Sequence, residues 1–126
     1  MDEMAETAKM PEELQKSIIT MAVECWRFSR SYQRLLLKLD AGEGSRYLSQ
    51  LYWFVKKLDD ALEQAGLHMV NVEGQPFDPG MAATPLNIED FEANDTLEVE
   101  QMLEPIIMSK AGLVKMGTVI LRKVAA

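Results

Sequence analysis

The chain has 126 residues, of which 26% are charged and 48% hydrophobic, and its formal net charge is −7. This composition is typical of a folded domain, or of a helical part joined to a small β part, and excludes a disordered or membrane-embedded chain. The apolar runs are too short to cross a bilayer, and residues 1–10 lack the basic start and apolar core of a secretory signal. These residues are predicted to be a flexible leader, and the chain is predicted to be cytoplasmic without membrane contact.

Cysteine, histidine and charge restrict the possible partners further. One cysteine and one histidine provide neither an internal disulfide nor a His/Cys zinc site, so no metal or cofactor is predicted. Between Glu89 and Glu104 the chain has seven acidic and no basic residues. This charge argues against nucleic acid as a partner and is more typical of a solvated face.

The first predicted helix opens at Pro11 and carries two apolar stripes. Proline and the acids that follow it suit a helix N-terminus. One stripe recurs at alternating spacings of four and three residues, which is the heptad pattern of an a/d seam. Its members are Leu14, Ile18, Met21, Cys25, Phe28, Tyr32, Leu35 and Leu39. The second stripe contains Ile19, Ala22, Val23, Trp26 and Leu36, and the combined width suits a helix that contacts several neighbours.

A second amphipathic helix follows residues 40–44, with Ser45 as its predicted N-cap. Its apolar positions are Leu48, Leu51, Val55, Leu58, Leu62 and Ala65. Two wide apolar faces predict a dimer that forms a four-helix bundle; the alternative is a monomer whose β part covers both helices. The predicted dimer interface is Leu14, Ile18, Met21, Cys25, Phe28, Tyr32, Leu48, Leu51, Val55 and Leu58. Aromatic residues such as Trp53 are interpreted as packing rather than as a ligand pocket.

From residue 67 onward the pattern predicts a small, mostly β domain. Gly66 stands where a helix needs a left-handed C′ residue, and a short extended run at residues 69–72 follows. Residues 97–100 and 117–124 have the pattern of strands, and residues 106–114 that of a hairpin with a glycine-bearing turn. Residues 78–91 are predicted to be irregular, with at most a helical turn. The predicted fold class is therefore α+β, with a helical part at 11–66 and a β domain at 67–126.

The residues show little sign of catalysis. His68 is the only imidazole, and the chain has no nucleophile motif and no phosphate-binding glycine loop. The sequence therefore predicts a protein that acts by binding another protein and is not an enzyme. The alternative, an enzyme acting on a small molecule, would require polar groups that converge near His68.

Four short motifs resemble the GrpE family of nucleotide exchange factors for DnaK-type chaperones. They are Glu43-Gly44, Leu62-Glu63-Gln64-Ala65-Gly66, Pro76-Phe77-Asp78-Pro79 and Thr118-Val119-Ile120-Leu121. The resemblance implies a homodimeric co-chaperone whose β domain binds the nucleotide-binding domain of a DnaK-type chaperone and promotes ADP release without covalent chemistry. It also implies a partner-binding surface that includes Gly44, Met108, Leu113 and Lys115.

The chain departs from the family pattern at three places. Ala82 replaces a histidine, Pro105-Ile106 replaces a Gly-Tyr pair, and residues 115–117 replace Arg-Pro-Ala. The first helix is also shorter than the family's paired stalk, so a thermal-sensing role is not carried over. These departures leave open a second hypothesis, an adaptor of the same fold that binds a different protein partner without exchange activity.

Overall fold

The computed structural model describes residues 11–124. The predicted leader at residues 1–10 lies outside the described residues. The chain divides between Ala65 and Gly66 into two compact units, a helical unit and a β unit. The predicted boundary, after residue 66, lies one residue further along the chain.

Between residues 11 and 65 the helical unit is a hairpin of two helices of nearly equal length. Helix α1 spans Glu12–Leu36 and follows Pro11, and helix α2 spans Ala41–Gln64. The connection from Leu37 to Asp40 is short, which makes the two helices antiparallel neighbours.

The prediction that Ser45 caps the second helix is wrong. The N-cap is Asp40, five residues before Ser45, and its carboxylate accepts a hydrogen bond from the Glu43 backbone N–H at 2.9 Å. This capping bond lets Gly42 and Gly44 lie inside the first turns of the helix, although glycine is an unfavourable helix residue.

Four of the five residues in the second apolar stripe of α1 are buried and Ile19 is half-buried, whereas no residue of the heptad seam is buried. The buried positions of α1 are Ala22, Val23, Trp26, Ser29 and Leu36, and those of α2 are Gly44, Leu51 and Leu62. The single polar member, Ser29, donates its hydroxyl to the Trp26 carbonyl at 2.8 Å and so needs no partner from another element. The hairpin therefore buries one apolar face of each helix and leaves the α1 seam exposed or half-buried.

The predicted glycine stop at the end of the second helix is confirmed. Gly66 has a φ of +77° and follows the C-cap residue Ala65. A side chain with a Cβ atom is strained in this left-handed conformation, so glycine ends the helix and redirects the chain into the first strand.

Over residues 66–124 the β unit contains six strands in two three-stranded sheets. The strands are β1 (Leu67–Val70), β2 (Ala83–Pro85), β3 (Leu97–Glu104), β4 (Ile106–Ser109), β5 (Gly112–Lys115) and β6 (Gly117–Lys123). In the first sheet the order is β1-β4-β5, and both pairs are antiparallel. In the second sheet the order is β2-β6-β3, with β2 parallel and β3 antiparallel to β6.

Two local predictions for the β unit need correction. Strand β1 begins at Leu67 and ends at Val70, earlier than the predicted run. The region predicted to be irregular contains strand β2, whereas its 3₁₀ turn at Ile88–Asp90 agrees with the predicted helical turn. Strand β2 was missed because three residues show no usable alternation; its parallel pairing with β6 is what makes it a strand.

The core of the β unit is formed by the inward-facing residues of both sheets. Its least exposed apolar side chains are Leu67, Val99, Met102, Ile107, Val119 and Leu121. Burial of side chains of this size is the main favourable term in folding. The α+β class, two helices followed by a small β region, is confirmed.

Candidate partner-binding surfaces

One row of side chains crosses the β1-β4-β5 sheet beside its hairpin turn. His68 of β1 lies opposite Met108 of β4, and Met108 lies opposite Leu113 of β5. Directly opposed residues in antiparallel strands project from the same face, so the three side chains form one row, here called the hairpin row. Leu113 is 49% exposed, His68 is exposed and Met108 is half-buried. The row is thus an accessible, largely apolar surface with one imidazole.

The turn that joins β4 to β5 is fixed by its own hydrogen bonds. Gly112 has a φ of +124°, a conformation that favours glycine. The Ser109 hydroxyl accepts from the Ala111 backbone N–H at 3.1 Å and donates to the Gly112 carbonyl at 3.4 Å. These bonds satisfy polar groups at the tip and hold Met108 and Leu113 in register.

Lys115 lies on the same hairpin but is not a free cation. Its ammonium is 3.4 Å from Oε1 of Glu104, and the Thr118 hydroxyl donates to the same carboxylate oxygen at 3.1 Å. Both charged side chains remain partly exposed. An acidic group of a partner would therefore have to compete with Glu104 for Lys115.

Gly44, the remaining predicted partner-binding residue, is buried in the helical unit. A Cβ atom at this position would approach the Leu36 carbonyl oxygen to 3.2 Å, so glycine allows the start of α2 to pass close to the end of α1. Gly44 also lines an apolar cavity of about 470 Å³ beside the helix connection, together with Leu39, Leu48 and Tyr52. This packing gives the residue a role inside the hairpin.

The predicted dimer-interface residues fall into two groups. On α1, Leu14, Met21 and Phe28 are exposed, and Ile18, Cys25 and Tyr32 are half-buried. On α2, Leu51 is buried within the single chain, and Leu48, Val55 and Leu58 are half-buried. The α1 group forms a continuous apolar surface, and the rings of Phe28 and Tyr32 stack within it at a centroid distance of 6.0 Å.

Three of the four predicted partner-binding residues, Met108, Leu113 and Lys115, lie on the β4–β5 hairpin. His68 lies beside them, although the sequence did not predict that it belongs to this surface. Its neighbour Met108 is distant in sequence, and only the β1–β4 register brings the two together. Local pattern carries no information on that register, because it depends on pairing between strands that are far apart in the chain.

The described part of the chain offers no metal centre. Within residues 11–124 there is no group of three or more histidine, cysteine, aspartate or glutamate side chains that could hold a metal ion. In the same residues every buried side-chain nitrogen or oxygen has a hydrogen-bond partner. None of the helices in this range is both long enough and apolar enough to cross a membrane.

The fold and its exposed surfaces define a two-unit α+β protein with a helical hairpin and a six-stranded β unit. No protein-family model, curated protein or solved structure matches the chain.

Proposed function

We propose that this chain is a compact co-chaperone of the GrpE type. In this proposal it acts as a homodimer whose β unit binds the nucleotide-binding domain of a DnaK-type chaperone and promotes ADP release. The observation that carries the proposal is the hairpin row, in which the half-buried Met108 and the exposed Leu113 lie side by side next to a turn fixed by hydrogen bonds. A rigid apolar surface of this kind suits recognition of a protein surface.

Exchange by this route requires binding energy only. A factor that binds the open, ADP-releasing state of a chaperone more tightly than the closed state shifts the equilibrium toward opening. A hundredfold difference in affinity corresponds to about 2.7 kcal/mol, which a few well-buried side chains can provide. Leu113 and Met108 are suited to this role because a partner could bury them without breaking the fold.

The helical hairpin supports the homodimeric part of the proposal. Four seam residues immediately precede a buried residue of α1: Met21 precedes Ala22, Cys25 precedes Trp26, Phe28 precedes Ser29 and Leu35 precedes Leu36. One residue corresponds to about 100° around a helix axis. Helix α1 therefore has two apolar faces nearly at right angles, the arrangement that a helix needs to contact two neighbours in a four-helix bundle.

Helix α2 adds apolar surface on the same side of the hairpin. Phe54, which is 40% exposed, precedes the half-buried Val55, and Tyr47 precedes Leu48 in the same way. In an antiparallel helix pair, a residue that comes one position before a core residue lies on the same side of the hairpin in both helices. The side chains of Phe54 and Tyr47 thus extend the α1 seam into one surface, which a second copy of the chain would cover.

The test is release of a fluorescent ADP analogue from the DnaK-type chaperone of the same organism. Wild-type protein is expected to accelerate release in a dose-dependent manner, and Leu113→Ala is expected to reduce the acceleration about tenfold, as truncation of an interface residue can. Leu86→Ala is the matched control, since Leu86 is also exposed, at 60%, but lies outside the hairpin row. Equal loss in both variants, or no acceleration by a folded wild-type dimer, would contradict the proposal.

One observation favours the second candidate, an adaptor that binds a different protein partner without exchange activity. Pro105 and Ile106, which stand where the GrpE family has a Gly-Tyr pair, are both buried. Their side chains therefore contribute nothing to an exposed surface on this strand. A folded dimer that captures a specific partner through Leu113, but leaves ADP release unchanged, would favour the adaptor.

A further inference from the structure

The β unit has an apolar cavity that the hairpin row does not use. Its volume is about 370 Å³, at the lower end of the range of about 300–1,000 Å³ found for ligand pockets. The lining side chains are mainly apolar: Phe77, Pro79, Ile88, Phe91, Ala93 and Leu97, with Glu92 and Asp95. Ile88 is exposed and both phenylalanines are half-buried, so the cavity is open to a partner.

The walls of the cavity are fixed by backbone hydrogen bonds. The Phe77 N–H donates to the Leu97 carbonyl at 2.9 Å, which holds this segment beside the start of β3. On the opposite wall, the Phe91 N–H donates to the Ile88 carbonyl at 3.2 Å, and the Glu92 N–H donates to Oδ2 of Asp95 at 2.8 Å. A cavity with walls held in this way exists before a ligand arrives, which lowers the entropic cost of binding.

The rim of the cavity carries uncompensated negative charge. Asp95 has a cationic partner, because Lys123 lies 3.3 Å from its carboxylate. Among residues 11–124, by contrast, no lysine, arginine or histidine forms an ion pair with Glu89, Asp90 or Glu92. Glu92 lines the cavity, and Glu89 and Asp90 precede it by three and two residues in the chain, so these acids make the apolar opening negative.

We propose that this cavity receives one apolar side chain of a partner protein, presented in a segment with lysine or arginine on either side of it. The apolar wall between Phe77 and Phe91 would bury the central side chain, and the acids around Glu92 would attract the flanking cations. The charge of the rim disfavours acidic partners, and the volume leaves room for about one or two side chains. The inference does not rest on exchange activity, since no residue of the hairpin row lines the cavity.

The test is an NMR titration of the full-length protein with three short peptides, N-acetylated and C-terminally amidated. The first peptide has a leucine between lysine pairs, the second replaces leucine with glycine, and the third replaces the lysines with glutamates. The first peptide is expected to shift the backbone amides of Phe77, Phe91 and Leu97, and to bind at least about tenfold more tightly than either of the others, a difference of 1.4 kcal/mol. Its affinity should fall as salt is added.

Two variants test the cavity and its rim separately. Ala93→Leu fills the cavity from an exposed position, and Glu92→Lys reverses one rim charge; each is expected to weaken the leucine peptide about tenfold, which is typical of a strong interface position. Leu86→Ala, which does not line the cavity, should bind as wild type. Equal binding of the leucine and glycine peptides, or of the lysine and glutamate peptides, would overturn the proposal. So would amide shifts at the cavity on concentration of the protein alone, which would assign the cavity to a second copy of the chain.

Discussion

Asn87 and Leu121 form a reciprocal pair of hydrogen bonds. The Leu121 backbone N–H donates to the Asn87 side-chain oxygen at 2.9 Å, and the Asn87 amide nitrogen donates to the Leu121 carbonyl at 2.9 Å. Strand β2 ends at Pro85, two residues before Asn87. The side chain of Asn87 thus takes the place of a strand backbone and continues the β2–β6 ladder beyond the end of β2.

Replacement of Asn87 with alanine should destabilise the β unit by about 2–3 kcal/mol, because backbone groups of the buried Leu121 lose both partners. Chemical denaturation monitored by circular dichroism measures this change. Asn94→Ala is the control, since Asn94 is exposed, and it should change the free energy of unfolding by less than about 0.5 kcal/mol. If Asn87→Ala also changed the free energy of unfolding by less than about 0.5 kcal/mol, water would have replaced the amide as hydrogen-bond partner of the Leu121 backbone.

Gly117→Ala should destabilise the fold by about 1–3 kcal/mol through overpacking. A Cβ atom at Gly117 would lie 2.8 Å from the Glu104 carbonyl oxygen and 2.8 Å from Cε of Met102. The methionine can move, but the carbonyl belongs to the backbone of β3. Gly42→Ala is the matched control, since its Cβ would meet only the Asp40 carboxylate at 3.7 Å, and alanine should stabilise that helical turn by up to about 1 kcal/mol. Thermal unfolding of the two variants should therefore move in opposite directions.

These two sites show where sequence pattern stops being informative. Helix periodicity and the Gly66 stop follow from neighbours along the chain, so the helical hairpin and the start of the β unit could be predicted. The role of Asn87 and the tight space at Gly117 depend on β6 lying against β2 and β3, which no local pattern records.

The candidate surfaces show the same limit. The heptad pattern identified the apolar positions of α1 but did not distinguish the stripe that packs within the chain, around Trp26, from the exposed stripe at Phe28. Both stripes are apolar, and the packing of α2 against α1 decides which of them is buried. Likewise, Met108 and Leu113 could be assigned to one hairpin, whereas His68 joined them only through the register of β1 with β4.

Asp95 should make the stability of the β unit depend on pH. Its pKa lies below the ordinary value of 3.8, because the Glu92 backbone N–H donates to the carboxylate and Lys123 lies beside it. A carboxyl whose pKa is lower in the folded state contributes its stability above the pKa of the unfolded chain and loses it as the pH falls through the folded value.

The pH prediction is checked by denaturation of wild-type protein and Asp95→Asn across the acid range. Wild type should be the more stable protein at neutral pH, and the difference should shrink as the pH falls through and below 3.8. Asp90→Asn is the control, since Asp90 is exposed and forms no ion pair with a described residue. A constant difference between wild type and Asp95→Asn would show that Asp95 acts through hydrogen bonding that its charge does not affect.

Phe28→Asp should dissociate the proposed dimer and leave the monomer folded. Phe28 is 68% exposed in the single chain, so the charge is solvated in a monomer but would be buried without a partner in a four-helix bundle. Sedimentation velocity with circular dichroism distinguishes the two effects. Tyr52→Asp is the control, because Tyr52 is 61% exposed and follows the buried Leu51, which places it on the opposite side of the hairpin. A monomeric wild type at micromolar concentration would contradict the four-helix bundle.

Substitutions at Lys115 and Glu104 should distinguish the contribution of this ion pair to folding stability from its contribution to chaperone binding. The pair is partly exposed, so Lys115→Met should cost less than about 1 kcal/mol of folding stability. If Lys115 binds an acidic group of the chaperone, Lys115→Met should reduce the free energy of binding to the chaperone by more than about 1 kcal/mol. Glu104→Gln should strengthen binding, because it removes the competing charge and keeps a carbonyl oxygen to accept the Thr118 hydrogen bond. Isothermal titration of both variants with the chaperone tests this, and weaker binding by Glu104→Gln would instead place Glu104 itself in the interface.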